Sequence, residues 1–316
     1  MYRIWIDENP LDSVRPMLDK VAQLVGPGAA IEELATCDAA LDPGAAWTAA
    51  RMDRASRLKV ISRIGVGYDN IDVQAATERG IMVCYTPHGP TLSTAEHAVA
   101  LIFAAAKTVA FADRDMRAGR WHSQFITYKG MELRDRVLGL VGFGRIGGHV
   151  AQIMQAVGMH VAAYDPMLTP ERAAQTGIRR MDSLEDLLAE SDVVSLHAPS
   201  TPETRHLMNA ARLQVMKQGS ILINTARGAL VDERALADAL RSGHLAAAGL
   251  DVFEQEPIET DNPLLKLENV VLTDHIGSHT WTGHHRLYEM AVHHLLQALR
   301  GERPDCMLND VPLRNV

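Results

Sequence analysis

A glycine-rich turn, Gly142-Phe143-Gly144-Arg145-Ile146-Gly147-Gly148, follows the apolar run Val137 to Val141 directly and opens a helical pattern directly. The spacing G-x-G-x-x-G suits a phosphate cradle. Gly142 permits a tight turn, Gly144 lets main chain approach a pyrophosphate, and Gly147 allows close contact between helix and strand. The free N–H groups of the helix N-terminus then face the anion. Such a turn calls for an acidic residue about 20 positions on, at the end of the next strand. Asp165 closes Val161-Ala-Ala-Tyr-Asp165, eighteen residues past Gly147. A carboxylate there accepts hydrogen bonds from a ribose diol and repels a 2′-phosphate, and Pro166-Met167 puts no cation beside it, so the expected cofactor is NAD rather than NADP.

Three later segments carry an ionisable residue where an apolar run ends: Arg227 in INTARG, Asp251 and Glu256 in GLDVFEQEP, and His275 in LTDHIGSH. In an open α/β sheet, ligands sit outside the carboxyl ends of the strands, which would gather these loops at the nicotinamide end of the cofactor. Hydride transfer between a 2-hydroxy acid and NAD needs a base for the hydroxyl proton, a cation for the carboxylate and carbonyl, and a group that tunes the base. His275, Arg227 and Glu256 suit those three roles.

The elements that must position these residues are legible from Arg136 onward. Short apolar runs at Val137 to Val141, Val161 to Tyr164, Val193 to Leu196, Ile221 to Asn224, Ala247 to Leu250 and Val270 to Leu272 alternate with helical patterns. Runs of this kind are strands buried on both faces, joined by right-handed crossovers into a doubly wound parallel sheet. The first half repeats the theme as a smaller α/β domain, with strands at Tyr2 to Ile6, Ala39 to Leu41, Val60 to Ile64 and Ile81 to Val83 and helices at Val14 to Leu24 and Val73 to Glu78. Between the halves, Ser93 or Thr94 caps what reads as one long helix ending at Gly119. Its apolar character from Ala98 to Ala112 requires burial on more than one side, either as a core helix or as a helix shared with a second subunit, and a homodimer is expected. A last helix is expected at about Thr282 to Arg300.

At these residues the sequence resembles the D-isomer-specific 2-hydroxyacid dehydrogenase family, which includes phosphoglycerate dehydrogenase, glyoxylate/hydroxypyruvate reductase and D-lactate dehydrogenase. The resemblance covers nearly the whole chain. It is carried by RIGVGYDNID (Arg63 to Asp72), STAEHAVAL (Ser93 to Leu101), RAGRW (Arg117 to Trp121), LGLVGFGRIG (Leu138 to Gly147), SLHAPSTPET (Ser195 to Thr204), NTARG (Asn224 to Gly228), LDVFEQEP (Leu250 to Pro257) and DHIGSH (Asp274 to His279). It implies an α/β fold of two Rossmann-like domains: a doubly wound NAD domain at 98–282, and a smaller flavodoxin-like substrate domain made of 1–97 and 283–316. It further implies that Val66 and Gly67 hold the substrate carboxylate through their N–H groups, that Arg227 contacts carboxylate and carbonyl, and that His275 is the acid/base paired with Glu256. Cofactor contacts are implied at Gly142, Gly144, Arg145, Ile146, Gly147, Asp165, His197, Pro199, Thr204, Thr225, Ala226, Asp251 and Gly277, with Asp251 on the nicotinamide carboxamide. The family's dimer forms through the long helix.

Two departures bear on the substrate. The family usually places Pro before the catalytic histidine, where this chain has Asp274, expected to face solvent. Phosphoglycerate-type members carry an arginine in the turn after the second strand, and the stretch Ala40 to Trp47 has none. The expected substrate is therefore a small unphosphorylated 2-keto acid such as glyoxylate or hydroxypyruvate. The alternatives are a D-3-phosphoglycerate dehydrogenase, a related formate or phosphite dehydrogenase, and a non-catalytic NAD-sensing corepressor-like protein.

Composition narrows the partners. The chain has 316 residues, 47% hydrophobic and 22% charged, with a net charge of −8 and no basic run, which argues against nucleic acid. Cys37, Cys84 and Cys306 are odd in number and far apart, as in a reduced cytoplasmic protein. The N-terminus MYRIWIDENP has no signal-peptide character, and no membrane span is expected. The fourteen histidines include no H-E-x-x-H, so no metal is expected.

Overall fold

The computed structural model describes residues 1–121 and 129–312. Along the chain come β1 (Tyr2–Ile6), α1 (Arg15–Asp19), β2 (Ala22–Val25), β3 (Ala39–Asp42), α2 (Ala49–Asp53), β4 (Val60–Arg63), α3 (Val73–Glu78), β5 (Met82–Cys84), α4 (Thr91–Ala106) and α5 (Val109–Arg117). Then follow β6 (Val137–Val141), α6 (Arg145–Val157), β7 (His160–Tyr164), α7 (Pro170–Thr176), β8 (Arg179–Arg180), α8 (Leu184–Glu190), β9 (Val193–Leu196), α9 (Ala210–Val215), β10 (Ser220–Asn224), α10 (Glu233–Arg241), β11 (Leu245–Leu250), β12 (Val270–Leu272) and α11 (Trp281–Leu299). The chain divides into two compact units, one from Met1 to Thr91 together with the residues from His279 onward, the other from Leu92 to Ser278.

The first unit is built on a parallel sheet of five strands in the order β2-β1-β3-β4-β5, the flavodoxin-like order. Side chains alternate across it with the strand period of two. Ile4, Ile6, Leu41 and Val60 meet Leu287, Ala291 and Leu295 of α11 on one face, while Trp5, Ala40, Ile61 and Val83 pack on the other. The expected helix from Val14 to Leu24 is corrected here, because α1 stops at Asp19 and Ala22–Val25 is a strand. Pairing with β1, Tyr2 against Ala22 and Ile4 against Leu24, satisfies main chain on the outer side of β1 and outweighs the helical spacing of the apolar residues.

The second unit is a parallel sheet of seven strands in the order β12-β11-β10-β9-β6-β7-β8. The six expected apolar runs all form strands, and β8 adds a short edge whose two residues, both exposed arginines, leave no apolar signature. Leu138, Leu140, Val161, Ile223 and Ala247 face α4 and α6, whereas Val194, Leu196, Leu222 and Leu250 face α8, α9 and α10. Helices on both faces explain why the strands read as unbroken apolar runs. The strand order reverses between β9 and β6, and the glycine turn follows β6, so a ligand crevice belongs at that switch point.

The single long helix expected between the halves is also corrected: it is two helices, α4 and α5, bent by 65° at Lys107 and Thr108. The carbonyl of Ala106 accepts the N–H of Met131 at 2.7 Å and so is lost to the helical ladder, and Thr108 turns through a left-handed conformation at φ 55°. Among the described residues no single helix is long and apolar enough to cross a membrane.

Candidate active site

The glycine turn has the shape the spacing calls for. Gly142 takes φ 95°, and a Cβ there would lie 2.8 Å from the His197 carbonyl; a Cβ on Gly147 would lie 2.6 Å from the Gly142 oxygen. Gly144 has open space where its Cβ would be, and α6 starts behind it with no side-chain cap. An open main-chain approach next to uncapped N–H groups fits a pyrophosphate. Arg145 is exposed and Ile146 half-buried at the mouth of the turn.

Asp165 follows β7 and ties the turn to it. One carboxylate oxygen accepts the N–H of Phe143 and the other that of Met167, both at 2.7 Å. Each oxygen retains a second lone pair for a ribose hydroxyl. The guanidinium of Arg172 lies over the Phe143 ring, 5.1 Å from its centroid.

After β9, His197 lies beneath the glycine turn with Nε2 3.0 Å from the Ser195 hydroxyl, and burial pushes its imidazolium down to about 4. A neutral ring therefore underlies the phosphate turn at pH 7. Pro199 is exposed, and its carbonyl accepts the Thr204 hydroxyl at 2.7 Å, which closes the loop on itself. After β10, Asn224 staples the next loop by accepting the Ala226 N–H at 3.0 Å and donating to the Arg227 carbonyl at 2.8 Å. Among the described residues no partner reaches the buried Thr225 hydroxyl.

The loops after β10, β11 and β12 carry the ionisable residues. His275 Nδ1 lies 2.7 Å from a Glu256 carboxylate oxygen, while the other oxygen accepts the Phe253 N–H at 3.0 Å. Burial pushes the Glu256 carboxyl up, but hydrogen bonds from His275 and Phe253 and the positive charges of His275 and Arg227 outweigh it, and the group is held below its ordinary value. A carboxylate that accepts at Nδ1 fixes the imidazole tautomer and leaves Nε2 for proton transfer. His275 itself sits in the left-handed region at φ 58°, its N–H donated to the Asp251 carbonyl at 2.8 Å. Strain of this kind persists only where neighbours over-determine the conformation.

Asp251 provides much of that restraint. Its buried carboxylate accepts the Thr273 hydroxyl at 2.6 Å and the N–H groups of Ile276 and Gly277 at 2.9 Å each, with His97 Nε2 at 3.2 Å. Burial raises the carboxyl, and the His97, Thr273 and Ile276 contacts more than reverse it, so Asp251 is ionised. It thereby clamps the loop on both sides of His275, which composition and spacing did not disclose. Asp274 is exposed. Sequence reasoning also missed the parts that His97, Glu233, Glu254 and Gly228 play in holding these loops. A Cβ on Gly228 would fall 1.8 Å from the Phe253 carbonyl carbon, so the Arg227 loop and the Glu256 loop touch through bare main chain.

In the first unit, Val66 and Gly67 lie in the loop after β4. The Arg63 guanidinium donates to the Gly67 carbonyl at 2.9 Å, and the Thr86 hydroxyl accepts the Gly65 N–H at 2.8 Å. Among the described residues no group of three or more His, Cys, Asp or Glu side chains could hold a metal ion.

Residues 99–277 match the family "D-isomer specific 2-hydroxyacid dehydrogenase, NAD binding domain". A glyoxylate reductase from Korarchaeum cryptofilum is 44% identical over 285 residues, covering 88% of this chain and 85% of that protein. The chain belongs to the D-isomer-specific 2-hydroxyacid dehydrogenases. A D-3-phosphoglycerate dehydrogenase from Archaeoglobus fulgidus is 50% identical over 226 residues, 72% of this chain and 42% of that protein. The chain thus spans less than half the length of such relatives. Among solved structures of similar fold, the TT0316 protein from Thermus thermophilus has a TM-score of 0.89 at 39% identity, covering 97% of this chain and 100% of that one. A D-lactate dehydrogenase from Aquifex aeolicus complexed with NAD and lactic acid has a TM-score of 0.85 at 30% identity, covering 95% and 96%. Membership of the family agrees with the NAD-type turn at Gly142 to Gly147.

Proposed function

We propose that this dehydrogenase interconverts a small 2-keto acid and its D-2-hydroxy acid with NAD, acting on glyoxylate or hydroxypyruvate. The observation that carries the reading is the 2.7 Å contact between His275 and Glu256 on strand-end loops of the same sheet that presents the glycine turn. Bound NAD supplies the hydride donor or acceptor, held by the turn from Gly142 to Gly147, Asp165 and the loops carrying His197, Pro199, Thr204, Thr225, Ala226, Asp251 and Gly277. His275 Nε2 gives a proton to the carbonyl oxygen during reduction and takes it back during oxidation, while Glu256 stabilises the imidazolium. Arg227 polarises the carbonyl and pairs with the substrate carboxylate. The N–H groups of Val66 and Gly67, in the first unit, have no acceptor among the described residues.

The substrate side chain follows from the turn after β3. Two guanidinium groups lie near it: that of Arg63 already donates to the carbonyls of Asp42, Pro43, Ile64 and Gly67, its Nε 3.9 Å from the buried Asp42 carboxylate, and that of Arg51, 4.3 Å from the centroid of the Trp47 ring, is paired with Asp7 at 3.0 Å. Among the described residues both guanidinium groups beside that turn are thus engaged by the protein itself, which favours an unphosphorylated acid. The identity with phosphoglycerate dehydrogenases supports the second reading, a D-3-phosphoglycerate dehydrogenase. A panel of keto acids followed by NADH absorbance tests both. Reduction of glyoxylate and hydroxypyruvate with higher kcat/KM than 3-phosphohydroxypyruvate supports the first, and the reverse order overturns it.

We further infer a cytoplasmic homodimer. Its support is the apolar surface of α5, where Val109 is 58% and Met116 51% exposed, together with three cysteines that form no disulfide among the described residues. A concentration-independent monomer in sedimentation at micromolar protein would remove the dimer.

A further inference from the structure

Two glutamates outside the His275–Glu256 pair close on each other's main chain. Glu233, the first residue of α10 and only 8% exposed, accepts the Glu254 N–H at 2.6 Å with one carboxylate oxygen. Glu254 returns the contact by accepting the Glu233 N–H at 3.2 Å. The remaining oxygens are also engaged: Asn262 donates to Glu233, and His206 Nε2 lies 2.7 Å from Glu254, with Arg205 at 3.8 Å. His206 takes φ 48° and donates its N–H to the Ala229 carbonyl at 2.8 Å.

Three strand-end segments therefore meet at Glu254: that after β9 through His206, that after β10 through Glu233, and its own after β11, while Ala229 holds His206 in place. The peptide that this clasp fixes is the one joining Phe253 to Glu254. Phe253 is also the residue whose N–H holds Glu256 at 3.0 Å, and its carbonyl rests against Gly228, next to Arg227. We propose that Glu254, held by Glu233 and His206, is a positioning residue for the acid/base pair: it sets the path of Val252 to Glu256 so that the Glu256 carboxylate meets His275 Nδ1 and the Arg227 loop keeps its distance. The proposal rests on the reading of Glu256 and His275 as the acid/base pair, and Glu254 touches neither substrate nor cofactor in it.

The test is a double-mutant cycle on the full chain, with NADH and either glyoxylate or hydroxypyruvate, whichever is turned over faster. Glu254→Ala removes the clasp; Glu254→Asp keeps the charge but draws it back by one methylene. Each is made in the parent and in Glu256→Gln. In the parent, Glu254→Ala should lower kcat about 10- to 100-fold, Glu254→Asp less, and both should move the alkaline limb of the reduction profile to lower pH, with the Kd for NADH unchanged. In Glu256→Gln, the same changes should cost less than about threefold and leave the limb where Glu256→Gln has put it. Equal losses in both backgrounds, or a parental kcat and limb in the two Glu254 variants, overturn the positioning role. If Glu254→Ala does not fold, the aspartate arm makes the same comparison. A Glu256→Gln enzyme with parental kcat and pH profile would instead overturn the acid/base reading itself, a result separable from the Glu254 outcome.

Discussion

Gly228→Ala places one methyl group where two loops meet. Its carbon would stand 1.8 Å from the Phe253 carbonyl carbon, 1.9 Å from its oxygen and 2.4 Å from the Glu254 nitrogen, against an ordinary contact of at least 3.4 Å. The loops must part by about 1.6 Å, the difference between 3.4 and 1.8 Å. Main chain on both sides leaves no flexible side chain to absorb the shift. Glu256 is anchored to Phe253 by its N–H, so the displacement falls on the 2.7 Å contact with His275 or on Arg227. A misplacement of about 1 Å costs roughly 10²-fold in catalysis, and kcat/KM for keto-acid reduction should fall by at least that much. Overpacking should cost about 1–3 kcal/mol of stability, visible as a lower midpoint in urea. The Kd for NADH, followed by fluorescence, should rise by a smaller factor than kcat/KM falls, because the glycine turn and Asp165 lie on other loops and only the contacts near Thr225, Ala226 and Asp251 are displaced. A folded Gly228→Ala enzyme with parental kcat/KM would show that contact between these loops does not govern the chemistry.

Three further outcomes follow from the same geometry. Asp165→Ser should narrow the preference for NADH over NADPH in kcat/KM, since it removes both an acceptor for the ribose diol and the repulsion of a 2′-phosphate; a preference left unchanged would misplace the ribose site. Glu256→Gln should move the alkaline limb of keto-acid reduction to lower pH, because the lost negative charge no longer favours the imidazolium, and an unmoved limb in the pH profile would separate the two residues. Asp251→Asn should destabilise the protein at pH 7 by about 1–3 kcal/mol, as a buried N–H loses its acceptor. Because the Asp251 carboxyl is depressed below its ordinary value, its contribution is present above that value and lost as pH falls through the folded-state value. Urea melts of parent and variant should therefore differ most near neutrality and converge in acid, and a gap that widens in acid would reverse the sign of the effect.

The second unit was largely legible because its strands are buried on both faces and announce themselves as apolar runs. β2 was not: Ala22 to Val25 continues the helical spacing of Val14 and Leu18, and only a partner strand decides its conformation. The break between α4 and α5 was equally hidden, since it depends on the Ala106 carbonyl meeting Met131, twenty-five residues away. In the site, Arg227, Glu256 and His275 stood out because each follows a strand end and has a chemistry-bearing side chain. The residues that hold them did not. Asp251 clamps the His275 loop partly through His97, 154 positions earlier, and Glu254 meets His206 across 48 positions, contacts with no local periodicity. Gly228 looked like part of a motif, yet its necessity comes from the main chain of Phe253, which only the folded loops bring to it.

The most direct test of the acid/base assignment is turnover of glyoxylate or hydroxypyruvate by His275→Asn, measured beside the Kd for NADH. Asparagine keeps a polar side chain at φ 58° and can still reach Glu256, so the loop survives while the titrating nitrogen is gone. The expected result is a fall in kcat of roughly 10²- to 10⁴-fold with NADH binding nearly intact. A His275→Asn enzyme that reduces either keto acid within about threefold of the parental kcat would contradict the assignment of His275 as the proton donor.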